Sequence, residues 1–114
     1  MERRNELYRD AIAVIERDYA AEDLSLTVVA RRIATSRRQL QRAFAEVGGT
    51  SFRRELRRVR MSHAASLLRA GGQSVQSVAG AVGYRQPAQF SKAFRRHHGA
   101  SPSAFRRQPE RLAA

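Results

Sequence analysis

Residues 83–106 read GYRQPAQFSKAFRRHHGASPSAFR, and the punctuation of that run decides the fold. Gly83-Tyr84 closes one short helix. Pro87 stands at a first helical position, where a missing N–H does no harm. Phe90 and Phe94 follow four apart and share one face, which leaves Gln89, Lys92, Arg95 and Arg96 on the others. Gly99 stops this helix, and Ser101-Pro102 begins the next with a capping hydroxyl and a first-turn proline. A short helix, a tight break and a basic helix with two aromatic anchors form a helix-turn-helix pattern.

The same grammar recurs upstream. Ser25 caps a short helix holding Val28, Val29 and Ile33, and Thr35-Ser36 breaks it. The next segment, SRRQLQRAFAEV, turns Leu40, Phe44 and Val47 inward and Arg38, Gln41 and Arg42 outward until Gly48-Gly49 ends it. Between the two units, Ser51 caps a long helix to about residue 70, with Phe52, Leu56, Val59, His63 and Leu67 as its inner stripe and Gly71-Gly72 as its stop. Ser74 caps the helix that leads back to Gly83, and Gly80 inside it is read as a point of close helix packing. A first helix over residues 2–19 places Tyr8, Ala11, Ile12, Ile15 and Tyr19 on one face. No stretch sustains a period of two with β-branched residues.

These readings predict an all-α, seven-helix domain spanning the chain. Two helix-turn-helix units, at about 25–48 and 74–99, are joined by a linker helix at about 51–70; a C-terminal helix at about 102–107 precedes a frayed end at 108–114. A helix over 52–70 spans ~28 Å, close to the ~34 Å that separates successive major grooves on one face of DNA.

Charge gives the partner class. The 114 residues carry a net charge of +12, and Lys92 is the one lysine among 22 basic residues. Residues 1–23 hold four arginines against seven acidic residues, whereas residues 24–114 hold 18 basic and 3 acidic. A basic surface confined to the part that carries the motifs points to a polyanion, nucleic acid first. Cysteine is absent, which excludes disulfide and thiol chemistry and fits a reducing cytoplasm. No apolar run approaches the ~20 residues of a membrane span, and no apolar segment of signal-peptide type follows the charged start.

The chain resembles the DNA-binding domain of the AraC/XylS family of bacterial transcription regulators. The resemblance is carried by Gly83, Tyr84, Phe90, Phe94, Arg95, Gly99, Ser101, Pro102, Phe105 and Arg106, by the first unit LSLTVVARRIATSRRQLQRAF, and by Arg60, Ala64 and Leu67-Leu68 in the linker. It implies a sequence-specific regulator of double-stranded DNA that places two recognition helices in adjacent major grooves. It implies base contacts from Arg38, Gln41 and Arg42 in the first helix and from Pro87, Ala88, Gln89 and Lys92 in the second. Arginine can fork onto guanine O6 and N7, and glutamine can pair with adenine N6 and N7. Hydroxyls and helix N-termini at Ser36, Ser51 and Ser74 suit phosphates, and Arg37, Arg53, Ser91, Arg95 and Arg96 complete the expected backbone set. Pro87-Ala88 stands where relatives usually carry polar residues, so looser readout is expected from the second unit. The resemblance further implies contact with RNA polymerase, activation more often than repression, and a bacterial, cytoplasmic, nucleoid-associated protein. The chain has no room for an effector domain or a dimerisation segment, so a monomer is expected.

Other chemistries find little support. Adjacent histidines on a helix point about 100° apart, so His97-His98 does not make a metal site, and no metal or other cofactor is expected. His63 is read as a packed core histidine. Catalysis is not expected, because the acidic residues cluster in the first helix and no triad is legible. The alternative is a basic helical protein that binds nucleic acid without specificity or lies on an anionic membrane surface.

Overall fold

Seven α-helices and no strand form the described residues, 2–107, of the computed structural model. The segment 108–114, expected to fray, lies outside them. The helices are α1 (Glu2–Asp18), α2 (Leu26–Arg32), α3 (Arg37–Ala43), α4 (Phe52–Ala70), α5 (Val75–Ala81), α6 (Pro87–His98) and α7 (Pro102–Arg107), with a π-helical turn, Phe44–Gly48, continuing α3. Among the described residues, one compact unit comprises 2–19 and 23–57 and a second comprises 20–22 and 58–107. Helix α4 contributes its first six residues to the first unit and the remainder to the second.

Serine caps start the helices as their sequence positions predict. The Oγ atoms of Ser25, Ser36, Ser51, Ser74 and Ser101 each accept the backbone N–H three residues on, at 3.0–3.2 Å. The two helix-turn-helix breaks share one hydrogen-bond pattern. In the first unit the Ala34 N–H donates to Arg31 O at 3.2 Å and the Thr35 N–H to Ala30 O at 2.9 Å. In the second, the Gly83 N–H donates to Gly80 O at 3.1 Å and the Tyr84 N–H to Ala79 O at 2.9 Å. Both are Schellman closures with a left-handed residue at the hinge: Gly83 at φ 94° and Ala34 at φ 57°. The side chain of Ala34 makes that conformation about 1 kcal/mol harder to hold in the first unit.

Phe44 centres the first unit. It is fully buried, with the rings of Tyr8 at 5.4 Å and Phe52 at 5.9 Å, both edge-to-face. Helix α1 buries Leu7, Ala11, Val14 and Ile15. Of the expected face, Ala11 and Ile15 are buried, whereas Tyr8, Ile12 and Tyr19 are half-buried, and the helix ends at Asp18. The buried and half-buried rows lie side by side on the helix, and Tyr8 takes the boundary because its ring lies along the backbone of Gly48. A Cβ at Gly48 would stand 2.5 Å from the Tyr8 ring, so this glycine serves a close approach. Gly49, left-handed at φ 61°, is the actual stop. Val47, expected inward, is exposed. The π turn advances each residue by a smaller angle than an α turn, so position 47 falls off the Leu40/Phe44 stripe.

Phe94 centres the second unit, with Phe90 at 5.7 Å, Phe105 at 5.3 Å and the His98 ring at 4.4 Å. His98 Nε2 lies 3.2 Å from the Met61 carbonyl oxygen. The packed histidine is therefore His98; His63, expected in the core, is exposed. The second-unit part of α4 buries Val59, Met61, Ala64, Ala65 and Leu68, leaves Leu67 half-buried, and also buries Arg60. Arg60 Nη2 donates to Ala21 O at 2.9 Å, and its guanidinium lies over the Tyr84 ring at 5.6 Å. Burial pushes the Arg60 pKa down from its ordinary value, while Tyr84 works in the opposite direction.

Gly80 is exposed, and a Cβ built there meets nothing within 4 Å. The expected close packing is absent at this position. Gly80→Ala should therefore stabilise the protein by about 0.5–1 kcal/mol and raise the melting temperature by a few degrees, as thermal melting followed by circular dichroism will show.

Candidate nucleic-acid interface

Each unit holds its basic helix by a buried pair four residues apart: Leu40 of α3 with Phe44 of the π-helical turn that continues it, and Phe90/Phe94 in α6, all without exposed surface. With these side chains fixed inward, the positions on the far side of each helix must face out. Arg37, Arg38, Gln39, Gln41 and Arg42 are exposed on α3. Arg38, Gln41 and Arg42 stand at i, i+3 and i+4, so they share one face. On α6, Pro87, Ala88, Gln89 and Lys92 are exposed, Ser91 is half-buried, and Arg95 and Arg96 are exposed. Pro87 is the first helical residue, after Gln86, whose side chain makes no capping bond.

Superposing the anchors in register, Leu40 on Phe90 and Phe44 on Phe94, sets Arg38 against Ala88, Gln41 against Ser91 and Arg42 against Lys92. At two of these three places the second helix has a short side chain where the first has a long polar one. Only a long side chain spans the gap from a helix backbone to a base edge and still forks. The first helix therefore has the fuller chemical means of base readout.

The expected phosphate-binding serines Ser36, Ser51 and Ser74 are exposed. Their oxygens are engaged as caps, and each hydroxyl hydrogen is left to donate. Arg53 and Arg54, in the first turn of α4, are exposed. Ala45, Gly49, Thr50, Ser51 and Arg54 line an open groove of about 510 Å³ in the first unit.

The ion pairs sort the charges. Asp18 holds Arg32 at 2.6 Å and Arg17 at 3.2 Å, so acid from α1 is spent on α2 and on its own helix. Arg37, Arg38, Arg53, Arg54, Lys92, Arg95 and Arg96 have no carboxylate within ion-pairing distance among the described residues. Three further pairs escaped the sequence reading. Arg85, just before α6, donates to Glu22 at 2.8 Å. Glu46 bridges two arginines: Oε1 lies 3.7 Å from Arg42 Nη2, and Oε2 accepts from Arg4 of α1. The spacing of Arg42 and Glu46 by four was visible in the sequence; pairing over 42 or 63 residues leaves no trace in periodicity.

Among the described residues no three His, Asp or Glu side chains gather as a metal site, and no helix is long and apolar enough to cross a membrane. A family model described as "Helix-turn-helix domain" matches residues 29–108. The HTH-type transcriptional regulator GlxA of Rhizobium meliloti (strain 1021) is 37% identical over 99 residues, covering 85% of this chain and 31% of that protein. The chain spans about a third of the length of the curated relatives it matches. Among solved structures, the C-terminal domain of AraT, a response regulator from Geobacillus stearothermophilus, is similar with a TM-score of 0.87 and 34% identity, covering 89% of this chain and 84% of that one. The DNA-binding domain of the global transcriptional factor AdpA, in complex with a target DNA, is similar with a TM-score of 0.81 and 30% identity, covering 90% of this chain and 96% of that one.

Proposed function

The chain belongs to the AraC-type helix-turn-helix family of transcription regulators, and from that premise we propose that it binds double-stranded DNA sequence-specifically, with α3 and α6 in successive major grooves. The observation that carries this reading is the pair of anchored helices. Each turns a buried pair inward, Leu40/Phe44 and Phe90/Phe94, and its arginines, glutamines and lysine outward, beside arginines without carboxylate partners among the described residues.

In this reading Arg38, Gln41 and Arg42 read bases from α3. Gln89 and Lys92 read them from α6, where Pro87 and Ala88 offer apolar contact to a thymine methyl. Ser36, Arg37, Ser51, Arg53, Ser74, Ser91, Arg95 and Arg96 hold phosphates and fix the register. The protein acts as a monomer in the bacterial cytoplasm at the nucleoid, contacts RNA polymerase and activates transcription. It needs no cofactor or metal, and we assign it no reaction. Val47 is the large apolar side chain exposed among the described residues, which leaves little to bury in a lipid surface and favours DNA over a membrane.

The test is a titration of labelled duplex across a salt series. The logarithm of affinity should fall against the logarithm of salt with a slope of about −0.9 per phosphate neutralised, or about −3.6 for the four arginines named. A flat response contradicts the interface. Base transversions in the half-site under α6 should weaken binding less than those under α3; equal losses would show that Pro87-Ala88 does not loosen the readout.

A further inference from the structure

We propose that Arg4 is a positioning residue for the base-reading Arg42 and acts through Glu46. The inference rests on the assignment of Arg42 to base readout given above. Glu46 stands one turn beyond Arg42 on the exposed edge of the recognition helix. A carboxylate there opposes DNA binding in two ways. It attracts the guanidinium that must reach the base, and its own charge meets approaching phosphates.

The structure divides that carboxylate between two arginines. Oε1 faces Arg42 Nη2 at 3.7 Å, a loose approach, while Oε2 accepts a hydrogen bond from Arg4 Nη1. The side chain of Arg4 is 29% exposed and that of Arg42 is 55% exposed. The less exposed pair is screened less by water and salt, so Arg4 is the firmer partner. Its position is fixed by the helix that carries it. Leu7 and Ala11 are buried in the same unit, and the Tyr8 ring lies against Gly48, two residues from Glu46. When Arg42 turns to a base, Arg4 remains to neutralise Glu46. Without Arg4, Arg42 is the cation left within ion-pairing distance of Glu46 among the described residues, and base readout then competes with an internal ion pair. Arg4 precedes the residues matched by the family model, 29–108, so this device belongs to the chain's own first helix.

The experiment is a double-mutant cycle on the duplex enriched from a random library, with a scrambled duplex of equal length beside it. Arg4→Ala should weaken cognate binding about fivefold, the range of a half-exposed ion pair, and lower the cognate-to-scrambled ratio, with the salt slope unchanged. Arg4→Lys should restore most of the loss. In a Glu46→Gln background, Arg4→Ala should change affinity less than about twofold. Because Arg4→Ala also removes the side-chain stem, Arg4→Gln is measured with it and should behave alike. An equal loss in both backgrounds, with the salt slope reduced by about 1, would make Arg4 a phosphate contact and overturn the proposal. So would no loss from Arg4→Ala where Arg42→Ala is costly. If Arg42→Ala itself changes nothing, the assignment of α3 fails first and the inference falls with it.

Discussion

Arg42→Ala lowers the preference for a cognate over a scrambled duplex by about 5- to 150-fold, the loss of one forked arginine–guanine contact of about 1–3 kcal/mol. The expectation rests on geometry. Arg42 is exposed on a helix held by Leu40, Ala43 and Phe44, each with no exposed surface. The helix cannot rotate to replace the contact without exposing that core. Arg42 also shares its face with Arg38 and Gln41, so the guanidinium arrives with neighbours that fix the register. Nonspecific affinity should fall far less, because one charge of many is removed and the salt slope shifts by at most about 1. Melting temperature should stay near that of the parent, since surface substitutions away from caps and cores usually lie within about 0.5 kcal/mol. Competition anisotropy with the two duplexes separates these effects. A specificity ratio unchanged in both Arg42→Ala and Gln41→Ala would remove α3 as the recognition helix.

Phe94→Ala destabilises the second unit by about 3–5 kcal/mol. Phe94 is fully buried and touches Phe90, His98 and Phe105 at 5.7, 4.4 and 5.3 Å. Its loss therefore opens a cavity where α6 meets α7 and takes the stacking surface from His98. A small domain has only about 5–15 kcal/mol in all, so the transition should move down by more than ~12 °C, and bases under α6 should lose their influence on binding. Lys92→Ala on the opposite side of the same helix should leave the melt unchanged while weakening binding. A Phe94→Ala protein that melts with the parent would mean that the aromatic cluster is not the core of this unit.

The sequence was most readable where structure is local. Ser25, Ser36, Ser51, Ser74 and Ser101 cap as their positions predict, because an N-cap needs a hydroxyl and the next turn and nothing else. Leu40/Phe44 and Phe90/Phe94 anchor as their spacing predicts. The readings that failed needed knowledge of distant partners. On α1, the rows of Leu7 and of Tyr8 have equal claims by period, and the Tyr8 ring against Gly48 decides between them. On α4, His63 fits an apolar stripe by spacing, yet the core takes the row of Arg60, Met61, Ala64 and Leu68. Arginine is tolerated there because a carbonyl and an aromatic face receive its guanidinium. Val47 was lost to a π turn that no local composition announces. At the candidate interface, the exposed polar residues followed from the anchors, whereas the pairing of Glu46 with Arg4 and of Glu22 with Arg85 comes from chemistry across the fold.

Sequence-specific reading of DNA by two helices is the central claim, and selection of binding sites from a random duplex library tests it most directly. At about 150 mM salt, where nonspecific attraction is weakened, the account predicts two short enriched boxes about one helical turn apart, with the box under α3 the more sharply defined. A library that emerges without enrichment, although the protein binds duplex DNA, would contradict it.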